Sequence, residues 1–100
     1  MIALKRLKRI CKMYKFEPSN RFKKHYKKLN QNDKDKVKEV INKLLNNERL
    51  ESKHKDHKLQ GEYEGFRECH VKPDLLLIYK KDSINLILIC IDIGSHGDLF

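Results

Sequence analysis

Cysteine is too scarce and too scattered to staple this chain. Three occur in 100 residues, at Cys11, Cys69 and Cys90. An odd number at wide spacing argues against a disulfide framework and against a paired-cysteine zinc motif. Cys69 and Cys90 stand in strand-like runs and read as small buried apolar groups. A long hydrophobic run is missing too. The longest, Ile84 to Ile93, is interrupted by Asn85 and Asp92 and is too short to cross a bilayer. No cleavable leader is evident, so the expected location is cytoplasmic, away from membranes. Repeats and low-complexity linkers are lacking beyond a lysine bias. One small domain with a modest core is expected.

Acidic charge is sparse where basic charge is dense. Residues 1–60 hold 19 Lys and Arg against 7 Asp and Glu, whereas residues 61–100 hold 4 against 7. The halves carry +12 and −3 of the net +9. Such a basic half favours a polyanionic partner, nucleic acid first and an acidic protein second. The duller alternative is a solvated lysine-rich surface. Residues 1–12, MIALKRLKRICK, read as a flexible basic N-terminal arm. Met13 opens a segment that looks like the start of a domain spanning 13–100.

Periodicity then supplies the elements. Tyr14-Lys15-Phe16 is a short strand candidate. Ser19 or Asn20 caps a helix over 20–29, with Phe22, Tyr26 and Leu29 at helical spacing. Asn32 or Asp33 caps a second helix, whose stripe of Val37, Val40, Ile41, Leu44 and Leu45 is core-facing. After a charged loop the period shortens, and residues 66–71, 75–81 and 84–92 read as strands with tight links. Short links force antiparallel pairing. The expected fold is α+β: a helical hairpin on one face of a small, mainly antiparallel four-stranded sheet, closed by a short C-terminal turn or helix.

The chemistry-bearing residues cluster between positions 55 and 74. Lys55-Asp56-His57-Lys58-Leu59-Gln60-Gly61 is followed by Gly65-Phe66-Arg67-Glu68-Cys69-His70-Val71-Lys72-Pro73-Asp74. Gly61, Gly65 and Pro73 punctuate short extended segments, so the chain can fold back and bring His57 near His70. His96, in Gly94-Ser95-His96-Gly97, is a third imidazole that can join them. Imidazole is the side chain best suited to proton transfer near neutral pH. His25 and His54, outside these runs, read as surface or structural.

Taken with Leu77-Ile78-Tyr79-Lys80 and Gly94-Ser95-His96-Gly97-Asp98-Leu99-Phe100, these motifs resemble the YafQ branch of the RelE/ParE toxin superfamily over about residues 13–100. The resemblance implies a RelE-like fold and a metal-independent, cofactor-free mRNA interferase that cuts messenger RNA on the ribosome. It also implies a cognate antitoxin, with operator DNA bound only through that antitoxin. By position, His57, His70, Asp74 and His96 match the family's catalytic residues, and Phe100 matches a terminal aromatic that contacts substrate. Two positions depart from the pattern. Asp92 stands where an arginine is expected to hold the scissile phosphate, and Leu75 stands where some members have an aromatic. The last strand link is also longer than the pattern, so the register near Asp92 is expected to differ.

Metal-free RNA cleavage needs a base for the ribose 2′-hydroxyl, an acid for the leaving 5′-oxygen, and positive charge on the transition state. The expected acid/base pair is His70 and His96, with Asp74 orienting an imidazole or taking a proton itself. His57 binds phosphate or assists. Arg67, helped by Lys55 and Lys58, is the expected cationic clamp, although an ion pair to Glu64 or Glu68 is its structural alternative. Lys23, Lys24, Lys27 and Lys28 are expected to meet ribosomal RNA phosphates. The rival functions are a catalytically weak RNA binder or antitoxin-dependent corepressor on the same scaffold, and a ParE-like gyrase inhibitor.

Overall fold

In the computed structural model, residues 13–99 are described; the basic arm and Phe100 lie outside that range. The elements run β1 (Lys15–Pro18), α1 (Asn20–Lys27), α2 (Gln31–Leu45), β2 (His57–Lys58), β3 (Arg67–Lys72), β4 (Leu75–Asp82), β5 (Ile87–Gly94) and α3 (His96–Leu99). Single 3-10 turns at Ser52–His54 and Gly61–Tyr63 flank β2. The sheet order is β1-β5-β4-β3-β2. It is therefore a five-stranded mixed sheet, which corrects the expected four strands. The extra strand, β2, has only two residues, too few to show any periodicity. The β1–β5 pair is parallel, because the whole hairpin and three strands intervene between its members. The remaining pairs are antiparallel.

Local chemistry sets the helix ends. The Ser19 hydroxyl accepts the Phe22 N–H at 3.0 Å, as an N-cap should. The cap of α2 is Asn30, whose side-chain oxygen accepts the Asp33 N–H at 2.8 Å; it is neither Asn32 nor Asp33. α1 ends at Lys27, two residues short of its expected end. The last strand starts at Ile87, later than expected, because the Asp82 carboxylate accepts the N–H groups of Ile84 and Asn85 at 3.0 Å each. Those bonds build a turn that leaves Ile84 92% exposed.

The hairpin covers one sheet face. Val37, Val40, Ile41, Leu44 and Leu45 are all buried there, against Cys69, Val71, Leu75, Leu77 and Tyr79. Burying one such side chain contributes roughly 1.5–3 kcal/mol, so the five-residue stripe orients the hairpin. The opposite face carries a smaller cluster, Leu76 and Ile78 capped by Leu99 of α3. This explains why Leu75 to Tyr79 read as one continuous apolar run: β4 is central and covered on both sides. Gly94 lies directly under the cap. A Cβ there would meet Asp98 Cβ and Leu99 Cδ2 at 3.4 Å.

Both buried thiols stay protonated. Burial pushes the Cys69 thiol far above its ordinary range and pushes Cys90 from 9.0 up to about 12. In the unfolded chain each ionises near its ordinary value, so above that value the unfolded state binds fewer protons than the native state. Stability from these groups is thus full below pH 9 and falls as pH rises toward 12. Thermal melts should hold steady from pH 7 to pH 8. By pH 10 they should register a loss of about 1 kcal/mol per thiol. Alkylation at pH 8 should label Cys69 and Cys90 only in denaturant, as read by mass spectrometry of the digest.

Candidate active site

Strand alternation sorts the chemistry-bearing residues onto two faces. Opposite partners in an antiparallel ladder share a face, and adjacent residues do not. His57 pairs with Glu68 and Glu68 with Ile78, so these three stand in one cross-strand row. His70 pairs with Leu76 and Leu76 with Gly94, forming the next row on the same face. The Glu68 carboxylate lies between the two imidazoles. Its Oε1 is 3.7 Å from His57 Nε2 and 3.8 Å from His70 Nε2. Glu68 is only 6% exposed, while the two rings remain open to solvent at one side. Positive φ at Gly61 and Gly65, 70° and 94°, turns the chain back so that β2 can pair with β3.

Backbone carbonyls hold these histidines. His57 Nδ1 donates to the Lys55 carbonyl oxygen at 2.7 Å. A carbonyl only accepts, so Nδ1 carries a proton and Nε2 is the free face of the neutral ring. His54 is buried, and its Nδ1 donates to the His70 carbonyl at 2.6 Å. It anchors the very residue of β3 that bears the second imidazole. His54 is accordingly structural, and the missed participant is Glu68. Its signal was present in Glu68-Cys69-His70, where a two-residue step puts acid and imidazole on one face.

The expected cationic clamp is not on this face. Lys58 pairs with Arg67 and Arg67 with Tyr79, and Tyr79 belongs to the hairpin-covered core. Arg67 Nε donates to Asp56 Oδ1 at 3.2 Å, and the Tyr79 hydroxyl donates to the same oxygen at 2.5 Å. The hydrogen bond to Asp56 holds the Arg67 guanidinium above its ordinary pKa, and burial, then Asp56, does the same for the Tyr79 hydroxyl. Lys55, Asp56, Arg67 and Tyr79 line a separate cavity of about 660 Å³ beside the end of α2. Arg67 is a strut between loop and sheet. Its ion-pair partner is Asp56, and neither Glu64 nor Glu68.

Among the described residues, the other expected ones lie at strand ends or away from the imidazole face. His96 opens α3, two residues after Gly94 of the His70 row, and Leu99 of the same helix packs on Leu76 and Ile78. Two strand spacings separate His70 from Gly94, roughly 10 Å. Asp74 is exposed in the β3–β4 turn. The carboxylate beside the His70 ring is that of Glu68, the partner expected of Asp74. Phe100 lies outside the described residues. Leu75 is buried in the hairpin-side core.

Asp92 is the fourth member of the His57–Glu68–Ile78 row and is 1% exposed. The register shifts there, with Tyr79 opposite Cys90 and Ile78 opposite Asp92, so Ile91 is an extra residue in β5. Arg21 and His25, the side-chain partners of Asp92, both come from α1. His25 Nδ1 is 2.5 Å from Oδ1, and Arg21 Nη2 is 2.8 Å from Oδ2. His25 is thus a tertiary anchor and no idle surface residue.

The arrangement offers two imidazoles sharing a carboxylate, with a third, His96, on the helix that follows β5. That set suits proton exchange with a bound hydroxyl and leaving group. Among the described residues no group of three or more His, Cys, Asp or Glu is placed to hold a metal ion. No helix among them is long and apolar enough to cross a membrane.

Comparison with known proteins assigns this set to a family. A model of the bacterial toxins of type II toxin–antitoxin systems called YafQ matches residues 14–100. The mRNA interferase toxin YafQ of Escherichia coli strain B / BL21-DE3 is 38% identical over 87 residues, covering 84% of this chain and 92% of that protein. A metal-bound toxin from Helicobacter pylori superposes with a TM-score of 0.80 at 40% identity, over 88% of this chain and 100% of that one. YafQ in the E. coli DinJ–YafQ toxin–antitoxin complex gives 0.76 at 35% identity, over 88% and 98%. The fold, the imidazole face and these likenesses together make the chain a member of the YafQ family of type II toxin–antitoxin toxins.

Proposed function

We propose that this toxin is an endoribonuclease that cuts messenger RNA on the ribosome by histidine acid/base chemistry, with residues 13–100 as its toxin domain. The observation that carries the reading is the Glu68 carboxylate set between His57 and His70 at 3.7 and 3.8 Å. A neutral imidazole takes the 2′-hydroxyl proton as the oxygen attacks phosphorus. The nearby carboxylate stabilises the imidazolium that results. A second imidazole, across the phosphate, gives its proton to the departing 5′-oxygen. His70 and His96 fill these two roles, His57 supports the phosphate side, and Glu68 takes the orienting part first expected of Asp74. Asp74 remains a second carboxylate at the neighbouring turn. Each proton transfer is worth about a hundred- to ten-thousand-fold in rate. The exposed lysines of α1 and its C-cap, Lys23, Lys24, Lys27 and Lys28, supply contacts to ribosomal RNA.

An acidic antitoxin is the expected protein partner, as DinJ is for the E. coli toxin in its complex. A groove of about 620 Å³ supports this reading. Tyr14, Phe16, Phe22, Tyr26 and Ile41 line it, and Lys23, Lys27 and Lys38 edge it. An amphipathic helix with an acidic border matches that chemistry. The chain's own arm, with five cations and no acid in residues 1–12, does not.

In a translating extract with a defined message, the wild-type protein should cut. His70→Ala and His96→Ala should each slow cutting by about a hundred-fold or more. Glu68→Gln should slow it by about tenfold or more while the melting temperature changes little. Wild-type-like cutting by His70→Ala would remove the proposed mechanism. For the partner, Phe16→Asp combined with Lys27→Glu should weaken binding of the purified antitoxin at least tenfold, roughly 1.4 kcal/mol, in calorimetry. Unchanged affinity would place the antitoxin elsewhere.

A further inference from the structure

Cleavage at a phosphodiester builds negative charge on the non-bridging oxygens, and a fixed cation must meet it. The imidazole face itself bears carboxylates, Glu68 and Asp92, in one row. Lys58 and Arg67 stand on the opposite face. One guanidinium is nonetheless tied to that row. Arg21 of α1 places Nη2 2.8 Å from Asp92 Oδ2, and its side chain is 60% exposed while that of Asp92 is 2% exposed. The contact is an ion pair made through Nη2 of the guanidinium. The guanidinium is thus anchored on its inner side and open on its outer side.

The anchor is rigid. The Ser19 N–H donates to the Cys90 carbonyl at 2.8 Å, and the Ser19 hydroxyl donates to the Ile91 carbonyl at 2.5 Å. The same hydroxyl caps α1. The first turn of α1, with Arg21 in it, is therefore locked to β5 at the extra residue Ile91. His25 holds the other oxygen of Asp92, and the Ile93 N–H donates to Oδ1 at 2.8 Å. A cavity of about 420 Å³ bounded by His25, Lys28, Gly94 and Asp98 joins this edge to α3, the helix that begins with His96. His25, one turn along α1 from Arg21, and Gly94, two residues before His96, thus share one cleft at the end of β5.

We infer that Arg21, positioned by Asp92, is the cation that binds the scissile phosphate of RNA in this toxin. The assignment rests on the nuclease reading above and adds to it the source of transition-state charge. A planar guanidinium with free donors suits a phosphate better than a lysine on a flexible stem. A buried carboxylate beneath it fixes where that fork stands.

The test compares Arg21→Gln, Arg21→Lys and His25→Gln with the wild type in two assays. One is cutting of a defined message in a translating extract. The other is binding of a non-cleavable oligoribonucleotide carrying a 2′-deoxy residue at the cut position, measured across salt concentrations. Arg21→Gln should cut about a hundred-fold more slowly. It should also lower the slope of log affinity against log salt by about 0.7, the value for one neutralised phosphate on a single strand. Arg21→Lys should restore the slope and part of the rate. His25→Gln, which removes the other partner of Asp92, should lower the melting temperature and keep the slope. An unchanged slope in Arg21→Gln overturns the assignment, even if cutting falls through loss of stability. If His70→Ala is then still dead, the nuclease reading survives without Arg21. If the wild type fails to cut but Arg21→Gln still lowers the slope, the phosphate site stands and the nuclease reading falls.

Discussion

A single buried carboxylate organises the working face of this toxin. Glu68 sits within 4 Å of two imidazoles that arrive from different strands, and it is 6% exposed. An isolated carboxylate at that depth is strongly disfavoured, since charge loses its hydration. Two imidazole nitrogens, at 3.7 and 3.8 Å, face it. In the proposed mechanism this carboxylate steadies an imidazole that has taken a hydroxyl proton. Structure and chemistry therefore lean on one group. The β2–β3 pairing, the glycine turns at Gly61 and Gly65, and the His54 bond to the His70 carbonyl all serve to hold it between its rings.

The sheet divides labour between its faces. On the hairpin side, alternate residues of β3, β4 and β5 meet the stripe of α2 and make the main core. There the polar trio of Asp56, Arg67 and Tyr79 ties a loop to the sheet. On the other side the apolar cluster is small and is capped by Leu99, which leaves room for polar rows. The extra residue at Ile91 breaks the alternation just where α1 docks. It thereby lets Asp92 stay buried against Arg21 and His25. The acid lies in the sheet, and Arg21 reaches over it from the helix.

Much of this was legible in the sequence. The α2 stripe follows a 3.6-residue period and needs no tertiary knowledge. The strands β3 to β5 announce themselves through short links and apolar runs. The approach of His57 to His70 follows from glycine placement. Other features carry no local signal. A two-residue strand has no period, and a parallel pair closed across most of the chain has no short turn to mark it. Asp92 finds His25 67 residues away, and nothing near either residue predicts the meeting. Arg67 is a different case. It neighbours Glu68 in sequence, and grouping it with the histidines overlooked that neighbours in a strand point to opposite faces. The same rule, applied at a step of two, would have found Glu68.

The central claim is that imidazoles move protons at a ribose hydroxyl on this face, and the chemistry of the cut ends tests it most directly. After brief expression in cells, transcript ends can be captured by ligation methods that separate 2′,3′-cyclic phosphate and 5′-hydroxyl from 3′-hydroxyl and 5′-phosphate. The account predicts cyclic phosphate and 5′-hydroxyl ends that recur in the reading frame and vanish with His70→Ala. Ends bearing 5′-phosphate and 3′-hydroxyl, or cuts that persist without His70, would contradict it.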